Sequence, residues 1–225
     1  MRQSQRDTFL KLLSSARASG AFARVRVWRL VSSVGMGPVG SRGSRVVKRA
    51  VFLDRDGVIN RPAVAGDYVT RWQDFHFLPG ATEAISLLGA AGWSVIVITN
   101  QRCVAKGLLT IPELETIHRK MLDELRKSGA QVEAVYYCPH EKQPPCTCRK
   151  PLPGMLLAAA EEHQIDLASS WMIGDSEKDV EAGKRAGCRT VLITSNLRAE
   201  SEFADFFAQN LLDASRRVLH LGVLP

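Results

Sequence analysis

Residues 51–60, with the sequence VFLDRDGVIN, decide how the rest of the chain is interpreted. An apolar run too short for a helix ends in two aspartates, Asp54 and Asp56, and Gly57 follows them. This pattern predicts a buried strand that carries two carboxylates to its C-terminal end. Because ligands of open α/β sheets bind beyond the carboxyl ends of the strands, we expect both carboxylates at the mouth of a site. The alternative is a solvated Asp-Gly turn, which is a common sequence pair in turns.

Composition and charge separate the chain into two parts. The 225 residues are 45% apolar and 24% charged, which is typical of a soluble globular protein. No apolar stretch of about 18 residues occurs in the sequence, so no membrane span is predicted. The net charge is +7, but residues 1–49 carry +10 from nine Arg and two Lys against Asp7, which leaves −3 for residues 50–225. The second part therefore has no basic excess that would favour nucleic acid as a partner.

Residues 1–49 are interpreted as a basic N-terminal extension, and residues 50–225 as one domain. The extension is rich in Arg, Ser, Ala and Gly, a composition that resembles an organellar transit peptide. A membrane-surface helix, a disordered tail and upstream sequence joined by a misplaced start, with Met36 as the true start, are the alternatives. We therefore expect a cytoplasmic monomer, or an organellar protein if the extension is a transit peptide.

Strand and helix patterns alternate over residues 50–225, which predicts an α/β fold with a doubly wound, Rossmann-like parallel sheet. Residues 61–79 form a long polar and aromatic connection after the first strand. Thr110 and Glu113 form a capping box that begins a helix. The last predicted strand is 190–194, and only helical segments are expected after it. Further strands are expected at 93–99, 134–137 and 171–175, and helices at about 80–91, 111–127, 154–163 and 177–186.

A second informative stretch, residues 138–151, has the sequence CPHEKQPPCTCRKP. Cys138, His140, Cys146 and Cys148 supply three thiols and one imidazole, the ligands that tetrahedral Zn²⁺ favours. Four protein ligands leave no position for water, so the predicted zinc is structural. A Cys146–Cys148 disulfide and simple coincidence are the alternatives.

Polar residues also follow the other predicted strands. Thr99, Asn100 and Gln101 end the second strand, and Asp175 ends the fourth. Lys150 follows the last cysteine of residues 138–151, which we call the cysteine-rich loop, and would bring a positive charge to a bound phosphoryl group. Two carboxylates spaced like Asp54 and Asp56 suit phosphoryl transfer, because one can attack while the other moves a proton. His118, on the helix that follows Thr110, is expected to be a surface or packing residue.

The segment Asp54-x-Asp56-Gly57-Val58 resembles the first signature of the haloacid dehalogenase superfamily of aspartyl-phosphate phosphatases. Thr99, Lys150 and Asp175 match the other three signatures in order. Together with the Cys-x-His and Cys-x-Cys loop, residues 50–195 resemble the heptose 1,7-bisphosphate 7-phosphatases of that superfamily. The related histidinol-phosphate phosphatases share the loop and the aspartates, and they are the nearest rival.

The resemblance implies a Mg²⁺-dependent phosphatase of small sugar phosphates that has no large cap domain and has a zinc-binding loop. It implies Asp54 as nucleophile, Asp56 as acid and then base, and Thr99 and Lys150 as stabilisers of the phosphoryl group. The implied ligands are Asp54, Asp56 and Asp175 for Mg²⁺, and Cys138, His140, Cys146 and Cys148 for Zn²⁺; the implied substrate contacts are Asn100, Gln101 and Arg149. A catalytically silent binding module with the same fold is the distant alternative.

Two departures from the family pattern occur, one in the stretch after Gln101, which includes Arg102 and Cys103, and one at Ser176. The positive charges of Arg102 and Lys106 are expected near the mouth of the pocket, where they would repel the amine of histidinol phosphate. We therefore expect a heptose 1,7-bisphosphate that loses its 7-phosphate to be preferred over histidinol phosphate or another sugar phosphate.

Overall fold

The computed structural model describes residues 48–64, 67–196 and 198–222. Within these ranges, six parallel strands form one sheet in the order β3-β2-β1-β4-β5-β6, with helices between most of them. The strands are β1 (Ala50–Leu53), β2 (Ser94–Asn100), β3 (Ala134–Cys138), β4 (Trp171–Gly174), β5 (Arg189–Ile193) and β6 (Phe206–Ala208). The α-helices are α1 (Ala81–Ala90), α2 (Ile111–Lys127), α3 (Gly154–His163), α4 (Glu177–Ala186) and α5 (Leu211–Leu221).

Strand β1 lies in the middle of the sheet, and all of its residues are buried. Leu53 lies opposite Val97 of β2 and Ile173 of β4. Asp54 follows Leu53 directly, and Thr99 and Asp175 each lie two residues beyond the partners of Leu53. The register of three parallel strands therefore brings these three side chains to the same edge of the sheet.

The sheet is covered on both faces, which confirms the doubly wound architecture. One face packs against the apolar sides of α1, α2 and α5, and the other packs against α3 and α4. Helix α2 begins at the predicted capping box: the Thr110 side chain accepts from the Glu113 backbone N–H, and the Glu113 carboxylate accepts from the Thr110 N–H. Both layers bury continuous apolar clusters, as expected for a parallel sheet.

Strand β6 corrects the expectation that only helical segments follow residues 190–194. Phe206–Ala208 pairs in parallel with β5, with Phe206 opposite Val191. The Phe206 ring also packs against Trp171, with the ring centroids 5.7 Å apart. Three residues are too few to show a periodic pattern, so the free edge of β5 decides their conformation. The helical expectation is confirmed only from Leu211 onwards.

The predicted absence of a large cap domain is confirmed within the described residues. The described residues of the connection from β1 to α1 contain one short 3₁₀ helix, Trp72–Asp74, and Trp72 stacks on Phe75 with centroids 5.0 Å apart. Residues 139–153, between β3 and α3, form neither a helix nor a strand. Among the helices that the structure describes, none is long and apolar enough to cross a membrane. The predicted extension lies outside the described residues except for Lys48 and Arg49.

Candidate active site

The buried amine of Lys150 lies at the centre of the site. Its Nζ is 2.8 Å from Asp54 Oδ1 and 2.6 Å from Asp179 Oδ1, and it donates to the Ile98 carbonyl at 2.7 Å. Lys150 is only 2% exposed. Although burial alone would lower its pKa, Asp179 and Asp54 raise the pKa of Lys150 to about 12, so the amine stays charged. One fixed positive charge is therefore shared by two carboxylates.

Carboxylates outnumber the positive charges at this edge of the sheet. Burial raises the pKa of Asp54 to about 7 even though Lys150 opposes the rise, and burial raises the pKa of Asp175 to about 6. Carboxylate oxygens of Asp54, Asp175 and Asp179 all lie within 4.8 Å of one another. Oxygen ligands this close, with an excess of negative charge, are suited to a divalent cation such as Mg²⁺.

Within this carboxylate group, Asp179 differs from the other two because both of its oxygens already have donors. Oδ1 faces Lys150, and Oδ2 accepts from the Ser176 N–H at 3.1 Å and from the Ser176 hydroxyl at 2.6 Å. Asp179 therefore fixes Lys150, and Asp54 and Asp175 remain as the side chains best placed to bind a cation. The sequence did not predict this role, although Asp179 lies four residues after Asp175, on the first turn of α4.

Gly57 allows the turn after β1 to approach the end of β4 closely. Its φ is +85°, a left-handed conformation that favours glycine. A Cβ atom at this position would lie 1.8 Å from Asp175 Oδ2, far inside van der Waals contact. Asp175 can therefore reach the site only because residue 57 has no side chain.

The Asp56 carboxylate is held by donors from three residues. Arg55 donates to both of its oxygens at 2.9 Å, Asn60 Nδ2 donates to Oδ1 at 2.9 Å, and Gln101 Nε2 donates to Oδ2 at 3.1 Å. Burial raises the pKa of Asp56, but the Arg55 charge and these hydrogen bonds outweigh it and lower the pKa overall. Its side chain is still 31% exposed, so the carboxylate lies at the boundary between the interior and the site.

The three polar residues at the end of β2 lie in the site but make different contacts. Gln101 Nε2 donates to Thr99 Oγ1 at 2.9 Å as well as to Asp56. Asn100 makes a reciprocal pair with the Lys150 backbone, because its Nδ2 donates to the Lys150 carbonyl and its Oδ1 accepts from the Lys150 N–H, both at 3.1 Å. Asn100 therefore joins β2 to the cysteine-rich loop, and its predicted contact with substrate remains a prediction, as does that of Gln101.

The four predicted zinc ligands lie together. The sulfur of Cys138 is 3.6 Å from that of Cys146, the Cys146 and Cys148 sulfurs are 3.5 Å apart, and His140 Nδ1 is 3.2 Å from Cys148 and 3.6 Å from Cys138. A tetrahedron with metal–sulfur bonds of about 2.3 Å has sulfur–sulfur edges of about 3.8 Å, so the set fits a zinc ion. These sulfurs are too far apart for a disulfide, and all five cysteines are free.

Electrostatics within this cluster also favour metal binding. The hydrogen bond from Cys148 is the largest cause that lowers the pKa of the Cys138 thiol, to about 5, and the same contact raises the pKa of Cys148. The cluster therefore stabilises a thiolate, which is the form of cysteine that binds metal.

Three cations lie on two loops: Arg149 on the cysteine-rich loop, and Arg102 and Lys106 on the connection between β2 and α2. Arg149 donates to the His140 carbonyl at 3.3 Å, so it packs against the cysteine-rich loop. Arg102 is paired with Glu141 of the same loop. Lys106 lies over the Tyr68 ring, 5.1 Å from its centroid, and so joins the β2–α2 connection to residues 61–79. The sequence predicted these charges but not the carboxylate that offsets Arg102.

Comparison with known proteins agrees with this geometry. The model of the HAD-hydrolase-like family matches residues 147–214. The D-glycero-beta-D-manno-heptose-1,7-bisphosphate 7-phosphatase of Pseudomonas putida is 41% identical over 145 residues, which cover 64% of this chain and 82% of that protein. The enzyme of the same name from Rhodopseudomonas palustris is 40% identical over 175 residues, which cover 75% of this chain and 92% of the relative.

Solved structures lead to the same family. The D,D-heptose 1.7-bisphosphate phosphatase of B. bronchiseptica, complexed with magnesium and phosphate, aligns with a TM-score of 0.70 and 36% identity, over 77% of this chain and 99% of that chain. The corresponding enzyme of Burkholderia thailandensis aligns with a TM-score of 0.57 and 29% identity, over 76% of this chain and 99% of that chain. The chain is a phosphatase, and it belongs to the heptose bisphosphate phosphatase family of the haloacid dehalogenase superfamily.

Proposed function

We propose that the protein removes the 7-phosphate of D-glycero-D-manno-heptose 1,7-bisphosphate through an aspartyl-phosphate formed on Asp54. The observation that carries this proposal is the position of Lys150, whose charged amine lies 2.8 Å from a carboxylate oxygen of Asp54. A fixed cation beside a nucleophilic carboxylate suits an incoming phosphate dianion, because it offsets the repulsion between the two negative groups.

In the first chemical step, Asp54 attacks the phosphorus atom and the bond from phosphorus to the sugar oxygen breaks. The transferred group passes through a transition state in which negative charge spreads over its oxygens. Lys150 and the Thr99 hydroxyl stabilise that charge, and their burial strengthens the effect because little water screens them. The products of this step are an acyl phosphate on Asp54 and the free sugar alcohol.

Asp56 moves the protons in both steps. It donates a proton to the departing sugar oxygen and then accepts one from the water that attacks the acyl phosphate. In the protein without substrate, the pKa of the Asp56 carboxyl is lowered, so this group must gain a proton as the substrate binds. The phosphate dianion favours this gain, since a nearby negative charge disfavours the ionised carboxylate.

Two metal ions complete the proposed enzyme. Asp54, Asp175 and the Asp56 backbone carbonyl would hold Mg²⁺, which, when bound, would neutralise charge on the phosphoryl group and on the carboxylates. Cys138, His140, Cys146 and Cys148 would hold one structural Zn²⁺. The reciprocal pair between Asn100 and Lys150 supports a link from this zinc to catalysis, because it attaches the end of the cysteine-rich loop to β2.

The proposed substrate rests on the relatives and on the charges beside the site. The names of the relatives describe heptose bisphosphate phosphatases. Arg149 has a planar guanidinium group that suits a second phosphate. Since Glu141 offsets the charge of Arg102, repulsion of a substrate amine would come mainly from Lys106.

A comparison of substrates tests this proposal. We expect phosphate release to require Mg²⁺ and kcat/KM to be higher for heptose 1,7-bisphosphate than for fructose 1,6-bisphosphate or histidinol phosphate. The measurement is initial phosphate release for all three with the same enzyme preparation, with 4-nitrophenyl phosphate as a generic control. A preference of tenfold or more for histidinol phosphate, about 1.4 kcal/mol of transition-state discrimination, would overturn the proposed substrate.

We also propose that the first 42 residues are dispensable for catalysis by a cytoplasmic monomer. Lys48 and Arg49 belong to the folded part, because the Lys48 backbone bonds to Gln164 and Asp166, and the Arg49 guanidinium lies 4.3 Å from the Trp93 ring. A chain that begins at Gly43 should therefore keep the kcat and melting temperature of the full chain. A chain that begins at Ala50 is the matched comparison and should melt at a lower temperature. Loss of activity in the chain from Gly43 would contradict the proposal.

A further inference from the structure

We propose that Arg55, the residue between the two aspartates, is a positioning residue that orients the Asp56 carboxylate for proton transfer, and that His118 fixes Arg55 from behind. This inference rests on the proposed function, because it assigns a role to a neighbour of the proposed acid. It concerns Arg55, to which the sequence assigned no role, and His118, for which the sequence predicted only a surface or packing role.

The hydrogen bonds from Arg55 fix the orientation of the Asp56 carboxylate. The guanidinium reaches Oδ1 with Nε at 3.2 Å and with Nη2 at 2.9 Å, and the same Nη2 reaches Oδ2 at 2.9 Å. A planar guanidinium that contacts both oxygens fixes the plane of the carboxylate as well as its position. A lysine ammonium at the same place would supply the charge without this orientation.

The burial of the Arg55 guanidinium indicates that it interacts with the site and not with solvent. The Arg55 side chain is 1% exposed, whereas the Asp56 side chain is 31% exposed. A buried charge is costly unless it is paired, and the ion pair described for Arg55 is with Asp56. The arginine therefore supports the carboxylate from the interior and leaves its outer side open to a substrate.

His118 completes the support. Its Nε2 lies 3.1 Å from Arg55 Nη1, although the two residues are 63 positions apart in the sequence. Burial, and then the Arg55 charge, hold the pKa of His118 well below its ordinary value, so the ring is neutral and Nε2 accepts from the arginine. The ring also packs against Tyr137 of β3, with the centroids 5.6 Å apart. His118, on helix α2, thus holds Nη1 of the Arg55 guanidinium, whereas Nε and Nη2 are held by Asp56.

The test compares two substrates that differ mainly in their leaving group. Phenyl phosphate releases a phenol with a pKa of about 10, so it needs a proton donor, whereas 4-nitrophenyl phosphate releases a far better leaving group. For Arg55→Lys, we expect kcat/KM for phenyl phosphate to fall at least about tenfold further than kcat/KM for 4-nitrophenyl phosphate. With 4-nitrophenyl phosphate, kcat should still fall, because Asp56 must also activate water in the second step.

Control variants separate orientation from general damage. Arg189→Lys makes the same change in an arginine that stacks on Trp171 at the opposite edge of the sheet, and it should leave the ratio between the substrates unchanged. His118→Leu should shift the ratio in the same direction as Arg55→Lys, and His118→Gln, which keeps an acceptor, should restore much of it. If Arg55→Lys does not fold, the His118 pair decides the question by itself.

The outcomes are distinguishable. If the unmodified protein releases phosphate in the presence of Mg²⁺ neither from the two aryl phosphates nor from heptose 1,7-bisphosphate, the proposed function fails. If the unmodified protein is active but folded Arg55→Lys or His118→Leu lowers kcat/KM equally for both substrates, or for neither, the positioning role is wrong. A selective loss with phenyl phosphate, together with rescue by His118→Gln, supports it.

Discussion

Replacement of Asp54 by Asn should lower phosphate release by about four orders of magnitude or more, because the amide cannot form the acyl phosphate. Asparagine keeps the size of the side chain, so the sheet should remain intact. Lys150 would keep Asp179 as its partner, which limits the structural damage. The measurements are kcat with the preferred sugar phosphate, the melting temperature, and mass spectrometry of acid-quenched enzyme for a phosphorylated aspartate.

Two control variants test whether this result is specific to Asp54 as the proposed nucleophile. Asp74→Asn changes a surface aspartate that pairs with Arg71, and it should leave turnover unchanged. Asp56→Asn should also be slow, but with 4-nitrophenyl phosphate it should accumulate phosphorylated Asp54. Wild-type turnover by Asp54→Asn, or a phosphate found on another residue, would contradict the assignment.

Loss of the proposed zinc site should have the second largest effect. Cys146→Ser should bind less zinc than the unmodified protein, for which we expect about one ion per chain. Its melting temperature should also be lower, because structural zinc contributes about 10–16 kcal/mol of binding free energy in zinc-finger peptides. We expect kcat to fall as well, since Lys150 lies two residues beyond the last ligand and its backbone is bonded to Asn100. The measurements are elemental analysis, thermal unfolding and kcat.

The matched control is Cys188→Ser, which removes a buried thiol outside the cluster. This variant should keep its zinc and most of its activity. After treatment of the unmodified protein with a chelator, Mg²⁺ alone should restore little activity, and Zn²⁺ with Mg²⁺ should restore most of it. If protein purified without a chelator contains no zinc, the proposed role of the four ligands is wrong.

The fold could be predicted largely because its strands end in polar residues at regular places. The apolar run before Asp54 predicted β1, and the capping box at Thr110 predicted the first residue of α2; both are confirmed. Strand β6 could not be predicted, because Phe206–Ala208 becomes a strand only when β5 offers a partner. The local sequence pattern predicts an element that is long enough to show its period. It does not predict a strand whose conformation depends on pairing with a distant strand.

The candidate site also has contacts that the sequence predicted and contacts that it did not. The sequence predicted which residues lie at strand ends, and the structure brings Asp54, Asp175 and Lys150 together. It did not predict that Asp179 would share the amine of Lys150, or that His118 would contact Arg55, because both contacts depend on how helices pack on the sheet. The arginine between Asp54 and Asp56 was the available signal, since a charged residue close to the end of a buried strand needs a partner.

The close approach at Gly57 has a consequence for how freely this sequence can vary. The missing side chain at residue 57 makes room for a carboxylate that lies 118 positions later in the chain. A library that randomises codon 57 should therefore return almost only glycine under selection for activity, whereas codon 61, at an exposed arginine, should accept many residues. Descendants that lose this glycine would have to move the end of β4 at the same time, and two such changes seldom arise together.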